Sequence, residues 1–189
     1  MLIQTTAISR VRRPVARRHV GATLIELMIG IAIVAMLIGM AMPSFVTWIQ
    51  NTQIRTAADA LFSGLQISRA EAVRRNELIT FTLTGFDWAI TDATGTTIES
   101  RTAEEGSGNA VITVQGAMPL TFNGVGRPSG AALAAVANND VTIISVANPT
   151  GGLCLDAGGT MRCLQVHVTL GGQVRMCDPV LPSSNPQSC

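Results

Sequence analysis

Residues 21–43 read GATLIELMIGIAIVAMLIGMAMP, and from Leu24 to Met42 the run is 19 residues long with a single charge, Glu26. A helix needs roughly 20 mostly apolar residues to cross a bilayer. The apolar core of an ordinary secretory signal is shorter, about 7–15 residues, and ends in a small-residue cleavage site. No convincing site of that kind follows here, so the segment reads as an anchor that is kept. Just before it lies RVRRPVARRHV, residues 10–20, which holds five Arg and no acid. Basic flanks stay on the cytoplasmic side, so the rest of the chain is expected beyond the inner membrane. Glu26 is the anomaly: a carboxylate in an apolar span costs a few kcal/mol even on mild insertion scales. Either it sits at the membrane edge, five residues past Gly21, or it has a partner.

The composition splits around this segment. All 13 basic residues are Arg; the chain after Gly21 keeps 8 of them against 12 acidic residues, a net of −4. A basic head therefore precedes a mildly acidic body. That balance argues against strong nonspecific nucleic-acid binding by the body as a whole. Pro and Gly show no period, which excludes collagen-like and repeat architectures.

Gly21 followed by Ala22-Thr23-Leu24-Ile25-Glu26 resembles the leader signal of type IV prepilins and type II secretion pseudopilins. The resemblance implies cleavage after Gly21 by a prepilin peptidase and N-methylation of Ala22. It implies that Glu26 pairs with the N-terminal ammonium of a neighbouring subunit during assembly, two charges satisfying one another in an apolar place. Pro43 falls where many pilins carry a helix-disrupting proline. One departure stands out: the first mature residue is usually Phe or Met, and here it is Ala22.

Beyond Pro43 the pattern turns amphipathic. Phe45, Trp48, Ile49, Ala58, Leu61, Phe62, Leu65, Ala72 and Val73 recur at steps of three and four, with Gln50, Asn51, Asp59, Glu71, Arg74 and Arg75 largely between them. This predicts a helix with one buried face, ending at Asn76. The block Leu61, Leu65, Ser68, Arg69, Glu71, Ala72 and Arg75 resembles the GspH/FimT branch of the pilin family. Its charges read as a solvated helix face with local ion pairs.

From Leu78 the period becomes two. Strands are predicted over 78–83, 86–91, 96–102, 110–114, 119–122, 141–147, 162–170 and 173–177, separated by turn residues such as Asn123-Gly124 and Gly171-Gly172. Residues 104–108 read as a loop; 129–139, rich in Ala and Gly, give no clear pattern. The expected fold is α+β, a long N-terminal helix with a transmembrane first half, packed on a mostly antiparallel sheet domain. The pilin resemblance implies the same arrangement. The expected segments are a leader over 1–21, a transmembrane helix half over 22–43, an amphipathic half over 44–76 and a β-rich periplasmic or extracellular domain over 77–189.

Cys154, Cys163, Cys177 and Cys189 are an even set confined to the last quarter. In an exported chain this predicts disulfides. Their spacing does not resemble a zinc finger or ribbon. Cys163 and Cys177 flank the last predicted hairpin and can pair across it, leaving Cys154 with Cys189; Cys154–Cys163 with Cys177–Cys189 is the other scheme considered. Either staples the C-terminal quarter, each bridge contributing about 2–4 kcal/mol.

No catalytic constellation is legible: there is no nucleophile elbow, P-loop or HExxH pattern. His19 falls in the leader and His167 in a strand. No enzyme activity, cofactor, metal or small-molecule substrate is expected. The expected partners are the prepilin peptidase, other pilins or pseudopilins and the inner membrane. DNA is the partner in a further reading, because FimT-like pilins bind it through a C-terminal G-R-x-R loop. Here Gly172-Gln173-Val174-Arg175 keeps only the second Arg, with Arg162 and Arg127 as candidate helpers. Phosphate affinity is a sum of cationic contacts, so Gln173 weakens that reading.

Overall fold

The computed structural model describes Gly21 and residues 23–102, 108–130 and 140–189. The leader expected over 1–21 therefore lies, Gly21 apart, outside the described residues, as does Ala22. Helix α1 spans Leu24–Arg75. The chain divides into two compact units, one up to Ala41 and one from Met42 onward.

In the first unit, Thr23 opens α1: its Oγ1 accepts the Glu26 N–H at 3.3 Å, and its carbonyl accepts the Leu27 N–H. The apolar side chains that follow lie on every side of the helix and are exposed, Leu24 at 78%, Ile31 at 62% and Leu37 at 61%. No single described helix is long and apolar enough to cross a membrane; Leu24–Met40 and Ser44–Arg75 meet that length and hydropathy only together.

In the second unit, α1 buries one stripe: Ile54, Ala57, Ala58, Leu61, Leu65, Ser68 and Ala72. These are the three- and four-residue steps of a helical face. Phe45, Trp48 and Val73, expected on that face, are instead exposed at 60%, 61% and 51%, while Gln50, expected outside, is buried. The stripe's small residues let the sheet approach closely. A Cβ added at Gly64 would lie 3.0 Å from the Phe81 ring and 3.2 Å from the Trp88 ring. The helix ends in a Schellman motif: Asn76 adopts φ 53°, and the Glu77 N–H reaches the Ala72 carbonyl at 3.3 Å. Asn tolerates this left-handed position better than most residues.

Nine strands follow among the described residues: β1 Ile79–Thr84, β2 Asp87–Thr91, β3 Thr97–Arg101, β4 Val111–Gly116, β5 Leu120–Phe122, β6 Pro128–Ser129, β7 Asp140–Ala147, β8 Leu164–Thr169 and β9 Val174–Cys177. They form two antiparallel sheets, ordered β3-β2-β1-β5-β6 and β4-β7-β8-β9. Alternation sends Ile79, Phe81, Trp88, Ile90, Leu120 and Phe122 of the first sheet inward, and Ile144, Val146, Val166 and Val168 of the second join them with the α1 stripe in one core. Each large apolar side chain buried here contributes roughly 1.5–3 kcal/mol. Strand β7 is buried on both faces over Asp140–Ile144, so Val141, Ile143 and Ile144 do not alternate with exposed residues. The two-residue β6 was not foreseen; it pairs with β5 through Pro128 and Ser129, too short to leave a periodic signal.

The Gly64 contact gives a direct test of this packing. Gly64→Val in the full-length protein should lower unfolding free energy by about 1–3 kcal/mol through overpacking, read from the midpoint of chemical denaturation in detergent. An unchanged midpoint would mean that α1 and the first sheet do not meet there.

Candidate assembly and binding sites

At the start of α1 the geometry is that of a helix N-terminus. Thr23 is the cap and Glu26 the third helical residue, where a carboxylate is favoured by the helix dipole. The T-x-x-E spacing of Thr23 and Glu26 is the sequence signal of this cap. Among the described residues no cation lies against the Glu26 carboxylate. Glu26, Leu27, Gly30, Ile31 and Val34 line one surface cavity of about 410 Å³. A Cβ on Gly30 would meet nothing within 4 Å, and neither would one on Gly21. Glycine at 21 is thus not demanded by described contacts within the chain.

At the other end of α1, Glu71 accepts hydrogen bonds from Arg74 and Arg75, the latter at 2.7 Å. These bonds hold its carboxyl at about 2, well below the ordinary 4.5. The expected local ion pairs are therefore present, with one exception. Arg69 Nε donates to the Gly126 carbonyl at 3.1 Å, tying α1 to the loop before β6.

The C-terminal quarter is stapled as Cys154–Cys163 and Cys177–Cys189. The alternative pairing across the last hairpin does not form. Cys177 lies opposite Gln165 in the register, while Cys163 precedes β8 and joins Cys154, which bridges to Met161 in a small loop of its own. The second disulfide ties the tail to β9, where Asp178 and Ser188 also bridge.

His167 is buried on β8, with Nδ1 2.6 Å from Asp140 Oδ2 and Nε2 2.9 Å from Gln165 Oε1. Both ring nitrogens are thus engaged within the domain. His167, Cys177 and Cys189 bring ligand atoms within 4.8 Å of one another. The two sulfurs are joined in a disulfide, however, and offer no thiolate to a metal.

The three Arg singled out for DNA lie in different surroundings. Arg162 Nε donates to the buried Asp178 carboxylate at 2.6 Å, and its backbone N–H is held by Asn51. Arg175 is half-buried and faces His167 across the β8–β9 ladder. Arg127 is exposed beside the turn of that hairpin: a Cβ on Gly172 would strike the Gly126 carbonyl and lie 3.2 Å from the Arg127 Cα. Gly172, at φ 81°, therefore serves both the turn and this close approach. Trp48, Arg55, Arg162, Met176 and Asp178 line a cavity of about 360 Å³ between α1 and the second sheet. Of its helix wall, Trp48 is expected on the buried face and is instead exposed.

A long helix whose inner stripe packs on antiparallel sheets, preceded by an apolar segment with one acid at its start, defines an α+β protein of the type IV pilin kind. The family model described as Type II transport protein GspH matches residues 57–178, more than half of the chain. The chain belongs to the GspH family, the minor pilin and pseudopilin branch that its sequence resembles. No curated protein matches it. Similar solved structures include the type IV minor pilin FimU of Pseudomonas aeruginosa, 20% identical, in two crystal forms. Its TM-scores are 0.46 and 0.48, over 71% and 75% of this chain and 98% of that one. The minor pseudopilin EpsH from the type II secretion system of Vibrio cholerae is 11% identical, with TM-score 0.48 over 68% of this chain and 99% of that one.

The Glu71 cluster predicts a pH signature. A carboxyl depressed on folding contributes stability that is complete above its unfolded value and is lost as pH falls through the folded one. Helix-end stability should therefore decline between pH 4.5 and about 2. Glu71→Gln should flatten that decline in an acid titration followed by circular dichroism; an identical acid limb in both proteins would contradict the assignment.

Proposed function

We propose that this chain is a minor pilin that helps prime a type IV pilus or form its tip complex. In this reading the prepilin peptidase removes residues 1–21 and methylates Ala22. The apolar segment then holds the subunit in the inner membrane, N-terminus cytoplasmic and body periplasmic, until it enters the filament. The observation that carries the reading is Glu26: an acid at the head of an exposed apolar helix, with no cation against it among the described residues. Gly30, one turn further on, leaves the space beside it open. A neighbouring helix bringing an N-terminal ammonium would satisfy the carboxylate and cover the apolar surface together. Family membership supports the class of subunit. The same architecture would also serve as a minor pseudopilin of a type II secretion system.

Three variants test the assembly role. Gly21→Leu should block leader removal, seen as an unshifted band on immunoblots. Glu26→Val should be cleaved yet enter filaments at least about tenfold less. Glu26→Asp, which keeps the charge, should retain part of the incorporation. Normal incorporation of Glu26→Val would reject the role given to the carboxylate. Deleting the chain should reduce surface pili; intact pili with a loss of secreted proteins would assign it to the secretion system instead.

A second reading, DNA capture for uptake, is favoured by one contact, the approach of Gly126 and Arg127 to the hairpin turn at Gly172. It sets Arg127 beside the segment that resembles the DNA loop, whereas the charge of Arg162 is offset by Asp178. DNA binding through this corner should be weak and salt-sensitive. Arg127→Ala with Arg175→Ala should abolish gel retardation by the purified protein. Absence of any retardation by the unmutated chain at low salt would remove this reading.

A further inference from the structure

The first sheet ends at β3, whose outer edge has no partner strand among the described residues. Such an edge presents a row of backbone donors and acceptors. Beneath it, β3 and α1 enclose a cavity of about 440 Å³, with Thr56, Asp59 and Ser63 on the helix side and Glu99 and Arg101 on the strand side. Trp88 of β2 reaches into the same space. Its ring is held between Gly64 and Phe81, with ring centroids of Phe81 and Trp88 5.7 Å apart. Trp88 is only 5% exposed, yet its indole Nε1 has no hydrogen-bond partner among the described residues. A buried N–H without an acceptor is costly, and Trp88 is one of the residues that line this cavity.

The ladder register explains the polarity of the groove. Trp88 faces Arg101, and Ile90 faces Glu99, so both charged side chains of the edge strand lie on the face that looks toward α1. Thr56, Ser63 and Asp59 add hydroxyls and a carboxylate on the opposite wall. The walls thus carry donors and acceptors side by side, and the Trp88 indole is a donor without an acceptor among the described residues. A side-chain carboxamide, which carries both functions, complements this set better than an apolar group or a lone charge.

We propose that the groove between β3 and α1 receives an extended segment of a neighbouring filament subunit. The segment adds as a further strand to β3 and places an Asn or Gln side chain in the groove, its carbonyl accepting the Trp88 indole N–H. Main-chain pairing supplies affinity and the inward side chain supplies selectivity, the division of labour in β-strand addition. This inference rests on the reading of the chain as a filament subunit.

The test uses the full chain in its own cells, with the photo-crosslinker benzoyl-phenylalanine in place of Ser63 in one strain and of Ile31 in another. Ile31 reports whether subunits pack on the apolar helix at all. The expected result is that Ser63 adducts map by mass spectrometry to one run of about four or more residues in another pilin. Ser63→Leu, which fills an exposed position on the groove wall, should lower incorporation about fivefold or more. Trp88→Phe removes the donor and shrinks the buried ring; it should lower the melting temperature of the free protein yet leave it folded, and should reduce incorporation about as much as Ser63→Leu. Ile31 adducts with pilins and none from Ser63 would overturn the groove proposal and leave the filament reading standing. Silence at both positions would overturn the filament reading and the groove with it. Ser63 adducts with lipid or nucleic acid, or Trp88→Phe and Ser63→Leu proteins that assemble normally, would overturn the proposal alone.

Discussion

The body depends on the close seating of α1 against two sheets at once. Its inner stripe, from Ile54 to Ala72, is small or aliphatic throughout, and at Gly64 there is no side chain at all. Helix backbone and aromatic rings meet there directly, which is why Phe81 and Trp88 can be buried beneath a helix rather than beside it. Packing at interior density leaves little room to adjust. The position of α1 therefore determines where β2 and its neighbour β3 lie, and the groove geometry follows from it. Arg69 extends the same coupling to the other side of the molecule. Its bond to the Gly126 carbonyl positions the loop on which Gly172 rests, so the helix also sets the place of the β8–β9 turn.

The stapled quarter solves a different problem. The second sheet is completed by short strands and by a tail with little regular structure, which offers few apolar contacts of its own. Cys177–Cys189 and the Asp178–Ser188 bridge hold that tail to β9. Asp178 also accepts from Arg162 and from the Val180 N–H, so a buried carboxylate is met by several donors. A buried acid is tolerated on those terms. The same holds for Asp140 and His167, which satisfy each other and Gln165 inside the domain.

Much of this was legible in the sequence because it rests on period and turn chemistry. Eight of the nine strands follow from alternation or from apolar runs bounded by Gly, Asn and Pro, and the helix end follows from Asn76. What stayed hidden depends on three dimensions. The periodicity of Phe45, Trp48 and Ile49 is as helical as that of Leu61 and Leu65, but only the latter have sheet across from them. Spacing could not choose between the two disulfide schemes, because the choice turns on the Met161 loop bringing Cys154 to Cys163. The separation of Arg162 from Arg127 was likewise invisible: both are isolated Arg near glycines, and only the ion pair with Asp178 distinguishes them.

Residues that the fold of this chain does not account for are the ones that point outside it. Asn76, Gly64 and Gly172 are each required by a contact or dihedral angle in the body. Gly21 has no such requirement among the described residues, since a side chain there would meet open space. Glu26 is partly accounted for, because the third position of a capped helix favours an acid. That local role would be filled as well in a polar helix, and it does not explain why the acid heads a stretch of exposed Leu, Ile, Val and Met. Trp88 presents the same kind of residue in the body: its ring is explained by Phe81 and Gly64, its N–H by nothing among the described residues. An unmet donor in a groove and an unmet acid on an apolar helix are complementary debts of one monomer. In the proposed reading association meets both, the acid through a neighbour's ammonium and the indole through a neighbour's amide carbonyl.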